Sequence, residues 1–286
     1  MEIKTVGVVG CGTMGSGIAQ VCAQSGYDVV VFEVSEEILK KGLSAIEAFL
    51  KKGMEKGKIT QKDMDSTIAR IKGTTTYDDF GACDLVVEAV FEDMAVKKQI
   101  FEALDNACPE HTILASNTSS LSIIDMASMT NRAEKVLGLH FMNPVPIMKL
   151  LEIVKSIATS PEVLELCKEF GKALGKTVIV AKDTPGFIVN YLQYPFRLNA
   201  IRMLERGMAT REEIDAAATL ALGHPMGPLA LQDLVGLDVT YEGALATYEA
   251  TGDPMFFPPV LMKKMIAAGW LGRKTGKGFY EYDKKK

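Results

Sequence analysis

With 286 residues the chain is long enough for about two domains. Hydrophobic residues at 48% and charged residues at 24% match an ordinary globular protein and exclude disorder, and no apolar run approaches the roughly 18 residues a membrane span needs. The formal net charge of −4 excludes a broad attraction to nucleic acid, so any anionic ligand must be met locally.

Five cysteines, Cys11, Cys22, Cys83, Cys108 and Cys167, form no CxxC pair, which argues against a disulfide framework and against a zinc site. The start, Met1-Glu2-Ile3-Lys4-Thr5-Val6, runs straight into a strand pattern without a basic leader or apolar signal core, so the expected location is the cytoplasm.

In chain order, Thr5–Gly10 is a β-branched run with the brevity of a buried parallel strand. A glycine-rich turn follows, then a helical pattern over Met14–Gln24 that stops before Gly26, then a second strand over Asp28–Glu33. Helical spacing returns over Glu36–Lys58 and Gln61–Arg70. Six lysines crowd this stretch, Lys40, Lys41, Lys51, Lys52, Lys56 and Lys58. They read either as a solvated face or as a patch for a multiply phosphorylated ligand.

Short strands are expected at Ile71–Thr76, Leu85–Val90, Thr112–Ser116 and Val136–Phe141, then at Leu150–Val154 and Thr177–Ala181, with a helix over Pro161–Leu174 between the last two. Such alternation predicts an α/β fold of Rossmann type, a doubly wound, mostly parallel sheet with helices on both faces. Asp183-Thr184-Pro185-Gly186 punctuates a change to purely helical patterning, giving a first domain over residues 1–183 and an all-α domain over 184–286. In the second, helices are expected over Phe187–Arg206, Arg211–Leu222, Pro228–Tyr248 and Pro258–Ala268, with one strand at Phe279–Tyr282. The terminal Lys284-Lys285-Lys286 is the one low-complexity run.

The turn Gly10-Cys11-Gly12-Thr13-Met14-Gly15 matches G-x-G-x-x-G, which is weak alone and strong between a strand and a helix. The first glycine permits the tight turn, the second lets backbone approach a pyrophosphate, and the third lets helix pack close to sheet. Glu33, 23 residues after Gly10, can accept hydrogen bonds from both hydroxyls of an adenosine ribose and so predicts NAD. A 2′-phosphate there would meet a like charge at around 4 Å, costing roughly 4 kcal/mol per unit charge at an effective dielectric of 20.

Ligands of open α/β sheets collect at the carboxyl ends of strands. There the chain places Glu92 and Lys97, then Ser116-Asn117-Thr118-Ser119-Ser120, then His140 and Asn143. Of three histidines, His111 opens a strand at the opposite edge and His224 sits in a Gly-Pro turn, which leaves His140 as the one placed to serve a bound nicotinamide. An imidazole suits proton removal from an alcohol as hydride leaves carbon. Glu152, inside the apolar strand Leu150-Leu151-Glu152-Ile153-Val154, is the candidate partner because a carboxylate among apolar neighbours needs a reason to be there. The bland alternative is a structural histidine beside an edge-strand glutamate.

Gly10–Gly15, Ser116–Ser120, His140-Phe141-Met142-Asn143-Pro144, Asp183–Asn190 and Lys274–Tyr280 together resemble the (S)-3-hydroxyacyl-CoA dehydrogenases over essentially the whole chain. The pattern is most similar to the compact bacterial 3-hydroxybutyryl-CoA dehydrogenases, although Met142 stands where a second phenylalanine is usual. The resemblance implies that His140 is the acid/base, Glu152 its partner, and Ser119 and Asn190 hydrogen-bond partners of the reacting oxygen or acyl group. It implies Glu33, Glu92, Lys97, Ser119, Asn143 and Lys274 around NAD, and the lysine-rich stretch, including Lys51, Lys52, Lys56 and Lys58, at the phosphates of CoA. Structural alternatives stay open: Ser119 could cap a helix over Leu121–Ala127, and Lys274 could be an ordinary solvated lysine. The substrate expected is an acyl-CoA entering between the two domains, and the apolar segment Ala216–Leu222 suggests a homodimer made through the helical domain. Two competing functions remain, a dehydrogenase of a CoA-free hydroxy or sugar acid, and a recruited NAD-binding protein without catalysis.

Overall fold

The computed structural model describes residues 2–283; the Lys284–Lys286 run lies outside the described residues. Two compact units emerge, Met1–Thr184 and Pro185–Lys286, a division that falls one residue after the expected boundary.

The first unit is built on eight strands. They are β1 (Thr5–Val9), β2 (Asp28–Phe32), β3 (Ile71–Thr74), β4 (Leu85–Glu88), β5 (Ile113–Ser116), β6 (Val136–Phe141), β7 (Leu150–Lys155) and β8 (Thr177–Lys182). Their order across the sheet is β3-β2-β1-β4-β5-β6-β7-β8. The chain therefore works outward from β1 in one direction and then crosses to the other side, the doubly wound pattern that opens a crevice beside β1 and β4. Val6, Val8 and Val9 are fully buried, as are Leu85, Val86 and Val87, because helices cover both faces of these central strands.

The layers are α1 (Thr13–Gln24), α2 (Glu36–Glu55), α3 (Gln61–Ala69), α4 (Met94–Ala107), α5 (Ile123–Ala127) and α6 (Pro161–Ala173). Helix α4 has no counterpart among the helices that the sequence pattern predicts. Asp93 caps it, its side chain accepting from Val96 N–H. The sheet is parallel except where β7 runs antiparallel to β6. That reversal sets His140 directly opposite Glu152. Directly paired residues share one face of a sheet, so the register itself brings the two side chains together.

The second unit contains α7 (Val189–Glu205), α8 (Arg211–Leu220), α9 (Pro228–Val235), α10 (Leu237–Thr251) and α11 (Val260–Ala267). The single helix expected over Pro228–Tyr248 is two, because Gly236 adopts φ 107°, a conformation that L side chains rarely adopt and that interrupts helical bonding. Leu198, Leu229, Leu237, Phe256 and Met262 form its core.

The expected strand at Phe279–Tyr282 is absent; the tail makes isolated bridges and is tied down by Asp233. This buried carboxylate accepts from Phe279 N–H at 2.9 Å, Tyr280 N–H at 2.8 Å and the Tyr282 hydroxyl at 3.0 Å. A Cβ at Gly278 would stand 2.0 Å from the same carboxylate, which explains a glycine in the Lys274–Tyr280 motif on packing grounds alone.

All five cysteines are free and buried. Burial raises every thiol: Cys11 and Cys108 to about 11, and Cys22, Cys83 and Cys167 to about 12. Among the described residues no helix is long and apolar enough to cross a membrane, and no group of three or more metal-ligating side chains gathers.

Candidate active site

The glycine-rich turn is sterically constrained at two of its three glycines. Gly10 has φ 94°, and a Cβ there would lie 2.9 Å from the Ala89 carbonyl oxygen. At Gly15 a Cβ would lie 1.8 Å from the Gly10 carbonyl oxygen, so α1 rests directly on the turn. At Gly12 a Cβ would meet nothing within 4 Å. Packing therefore requires the outer two glycines, while the middle one keeps an open approach to backbone.

Helix α1 begins there with Gly12 as N-cap, no side-chain cap and no acidic residue in its first turn. Its first N–H groups and the positive end of its dipole thus remain available to an anion, which fits the pyrophosphate of a dinucleotide. Glu33 follows the end of β2 and reaches back over the turn, accepting from Cys11 N–H at 2.8 Å and from Val34 N–H at 2.9 Å. Each carboxylate oxygen keeps a second lone pair for a ribose hydroxyl.

Across the sheet, at the far end of β6, His140 is 5% exposed and Glu152 is wholly buried. The imidazole Nδ1 lies 2.6 Å from Glu152 Oε2. A carboxylate only accepts, so Nδ1–H donates to it, and the imidazole presents its other nitrogen, Nε2, as an acceptor. Ser119 Oγ stands 3.1 Å from that Nε2. Ser119 is thus not a helix cap; that place belongs to Ser122, which accepts from Asp125 N–H at the start of α5. Asp183 holds the same helix, accepting from Ile123 and Ile124 N–H at 3.0 and 2.9 Å.

The strand ends between these two groups are joined by a polar network. Glu92 Oε1 accepts from Thr118 Oγ1 at 2.6 Å and from Ser119 N–H at 2.7 Å. Asn117 Oδ1 accepts from Phe141 N–H at 2.9 Å, linking the Ser116–Ser120 turn to the strand that carries His140. Lys97 is 1% exposed, and its ammonium donates to Glu88 Oε1 at 2.7 Å and lies 3.3 Å from Glu92 Oε2.

Glu88 was overlooked in the sequence. The signal that selects Glu152, a carboxylate flanked by apolar residues inside a strand, applies equally to Leu85-Val86-Val87-Glu88-Ala89-Val90.

Among the sequence-selected residues, the first unit brings Ser119, His140 and Glu152 into one hydrogen-bonded row, with Glu92 and Lys97 behind it. Asn143, exposed, follows β6 in the loop to β7. Asn190 and Lys274 belong to the second unit. Asn190 lies in the first turn of α7, and Lys274 pairs with Asp238 at 2.5 Å. His111 lies just before β5, at the opposite end of the strands, with its Nε2 3.4 Å from Asp84, and His224 packs on Phe196 in the helical unit.

A doubly wound sheet with a glycine cradle, a carboxylate at the end of β2 and a carboxylate-backed imidazole at another strand end fits a nicotinamide-dependent dehydrogenase. The model of the 3-hydroxyacyl-CoA dehydrogenase NAD-binding domain matches residues 5–184, and that of the same enzymes' C-terminal domain matches residues 186–282. The chain belongs to the 3-hydroxyacyl-CoA dehydrogenase family, and its first unit is an NAD-binding domain.

A probable 3-hydroxybutyryl-CoA dehydrogenase of Bacillus subtilis is 44% identical over 285 residues, covering 100% of this chain and 99% of its own. The mitochondrial hydroxyacyl-coenzyme A dehydrogenase of Sus scrofa is 45% identical, covering 98% and 91% respectively. The crystal structure of the (S)-3-hydroxybutyryl-CoA dehydrogenase of Ralstonia eutropha superposes with a TM-score of 0.96 at 44% identity, covering 99% of this chain and 100% of that one.

Proposed function

We propose that this protein interconverts (S)-3-hydroxybutyryl-CoA and acetoacetyl-CoA with NAD, using His140 as the general acid/base. The observation that carries the reading is the row Ser119–His140–Glu152 at the strand ends of the domain that holds the glycine cradle. The four-carbon substrate rests on the names of the full-length relatives.

The turn Gly10–Gly15, through the backbone N–H groups of Gly12, Thr13 and Met14, and the carboxylate of Glu33, which Cys11 N–H orients, hold the coenzyme, with Glu92, Ser119, Asn143 and Lys274 also around it. NAD, when bound, supplies the hydride acceptor. His140 Nε2 takes the proton of the 3-hydroxyl, and Glu152 stabilises the imidazolium that results. In the reverse direction the imidazolium returns that proton to the 3-oxygen. Ser119 and Asn190 donate hydrogen bonds to the substrate, and such bonds strengthen as negative charge grows on oxygen. Lys51, Lys52, Lys56 and Lys58, all exposed in or just after α2, offer positive charge to the phosphates of CoA. Five reduced thiols suit a cytoplasmic enzyme.

The test is a 3-oxoacyl-CoA chain-length series with NADH and NADPH side by side, with free acetoacetate included. Highest kcat/KM is expected for acetoacetyl-CoA with NADH, and little reduction of the free acid. Equal rates with NADPH, or with acetoacetate itself, contradict the proposal.

The working form is a homodimer through the helical unit. Leu192, Leu220 and Leu222 are 69%, 87% and 63% exposed there, more apolar surface than single scattered residues would leave in water. Light scattering should return twice the 31.1 kDa chain mass. A monomer at all concentrations contradicts this assignment.

A further inference from the structure

We propose that the buried pair Glu88–Lys97 is a positioning device for Ser119, and that through Ser119 it sets the rate of proton transfer at His140. The inference rests on the reading of Ser119 and His140 given above.

Glu88 closes β4 with 0% exposure, and Lys97 lies in α4 at 1%. Two charges taken out of water are costly, and an apolar pair of the same size would serve packing alone at least as well. What the charged pair adds is a set of directed hydrogen bonds; one holds Val90 N–H on Glu88 Oε1 at 2.7 Å, and the others lead to the turn after β5. Glu88 Oε2 accepts from Ser116 Oγ at 2.6 Å, and Ser116 Oγ accepts from Thr118 N–H at 3.1 Å. On the other arm, Lys97 Nζ stands 3.3 Å from Glu92 Oε2. Glu92 Oε1 in turn accepts from Thr118 Oγ1 at 2.6 Å and Ser119 N–H at 2.7 Å. Thr118 Oγ1 also accepts from Leu121 N–H at 2.9 Å.

Both arms therefore clamp the turn from Ser116 to Leu121. Within that turn Ser119 is held by its own N–H on Glu92, and its hydroxyl stands 3.1 Å from His140 Nε2. Glu88, Lys97, Ser116 and Thr118 are buried, so this part of the clamp is shielded from water, while Glu92 ties it to the surface side. Lys97 faces inward, with its ammonium engaged by Glu88 and Glu92 and 3.5 Å from the Val90 carbonyl oxygen. It reaches the Ser116–Leu121 turn from beneath.

A double-mutant cycle tests this on the full-length enzyme: wild type, Lys97→Met, Ser119→Ala and the combined variant. Each is assayed for kcat with 3-hydroxybutyryl-CoA and NAD, and for NADH affinity by fluorescence. A misplacement of about 1 Å can cost on the order of 10²-fold, so Lys97→Met should lower kcat by roughly 10–100-fold with NADH affinity retained. On the Ser119→Ala background the same change should cost nothing further.

Losses that multiply, an unchanged kcat in Lys97→Met, or an effect confined to NADH affinity would each overturn the inference while leaving the acid–base reading intact. A wild-type kcat in Ser119→Ala would remove the reading of Ser119 on which the inference stands. If the uncompensated Glu88 carboxylate prevents Lys97→Met from folding, the Glu88→Gln/Lys97→Met pair leaves neither charge alone and carries the same cycle.

Discussion

Replacing His140 with glutamine is expected to lower kcat about 10²–10⁴-fold while leaving NADH affinity unchanged, because general acid–base catalysis is the one contribution the change removes. Glutamine keeps a polar side chain of similar reach, so the buried Glu152 carboxylate retains a hydrogen-bond donor and the fold survives. What disappears is a group that can hold a proton and give it back. Glu152 and Ser119 both stand within hydrogen-bond distance of the imidazole, at a strand end away from the glycine turn after β1. Fluorescence titration with NADH and steady-state kinetics on the same preparation separate the two effects. Turnover equal to wild type would remove His140 from the mechanism.

Gly15→Ala is expected to lose both coenzyme binding and stability, whereas Gly12→Ala loses coenzyme binding alone. The alanine methyl at position 15 would stand 1.8 Å from the Gly10 carbonyl oxygen, an overlap with backbone that only a shift of α1 can relieve. Overpacking of this kind costs typically about 1–3 kcal/mol, and in a chain of this size each kcal/mol lowers Tm by roughly 2–4 °C. The shift also carries the N–H groups at the start of α1 away from the pyrophosphate. Losing two charge-assisted bonds at about 1.5–3 kcal/mol each weakens binding by two orders of magnitude or more, on the scale of about 1.4 kcal/mol per tenfold. A methyl at position 12 meets no protein atom within 4 Å, so that variant should melt like wild type and still obstruct the phosphates. Calorimetry and NADH titration on both variants give the comparison. Normal NADH affinity in Gly15→Ala would contradict the cradle described here.

Local pattern carried much of this architecture. The buried strands β1, β2 and β6 and the glycine turn are legible because their apolar runs are short, uninterrupted and bounded by turn residues. Helix α4 was missed since its apolar positions, Ile100, Phe101 and Leu104, are diluted by charged neighbours on its outer face. The break at Gly236 hides in the sequence because a lone glycine inside helical spacing is tolerated as often as it interrupts. The Phe279–Tyr282 segment has a strand-like composition, yet the N–H groups of Phe279 and Tyr280 go to the carboxylate of Asp233, a tertiary contact 46 residues from Phe279 that no local signal announces.

The site divides the same way. His140 and Glu152 each stand out, one as a histidine at a strand end and the other as a charge in an apolar strand. Their facing geometry, however, depends on β7 running antiparallel to β6. Glu88 carried the same signal as Glu152 and was passed over because nothing in its own neighbourhood suggested a partner. Lys97, nine residues on, becomes that partner only once α4 packs beside β4.

The most direct test of the central claim is a crystal structure of the ternary complex with NAD and acetoacetyl-CoA. The account predicts the 3-oxygen within about 2.6–3.2 Å of His140 Nε2, with Glu152 still bonded to Nδ1. A 3-oxygen bound out of reach of that nitrogen, or a Glu152 carboxylate turned away from the ring, would contradict it.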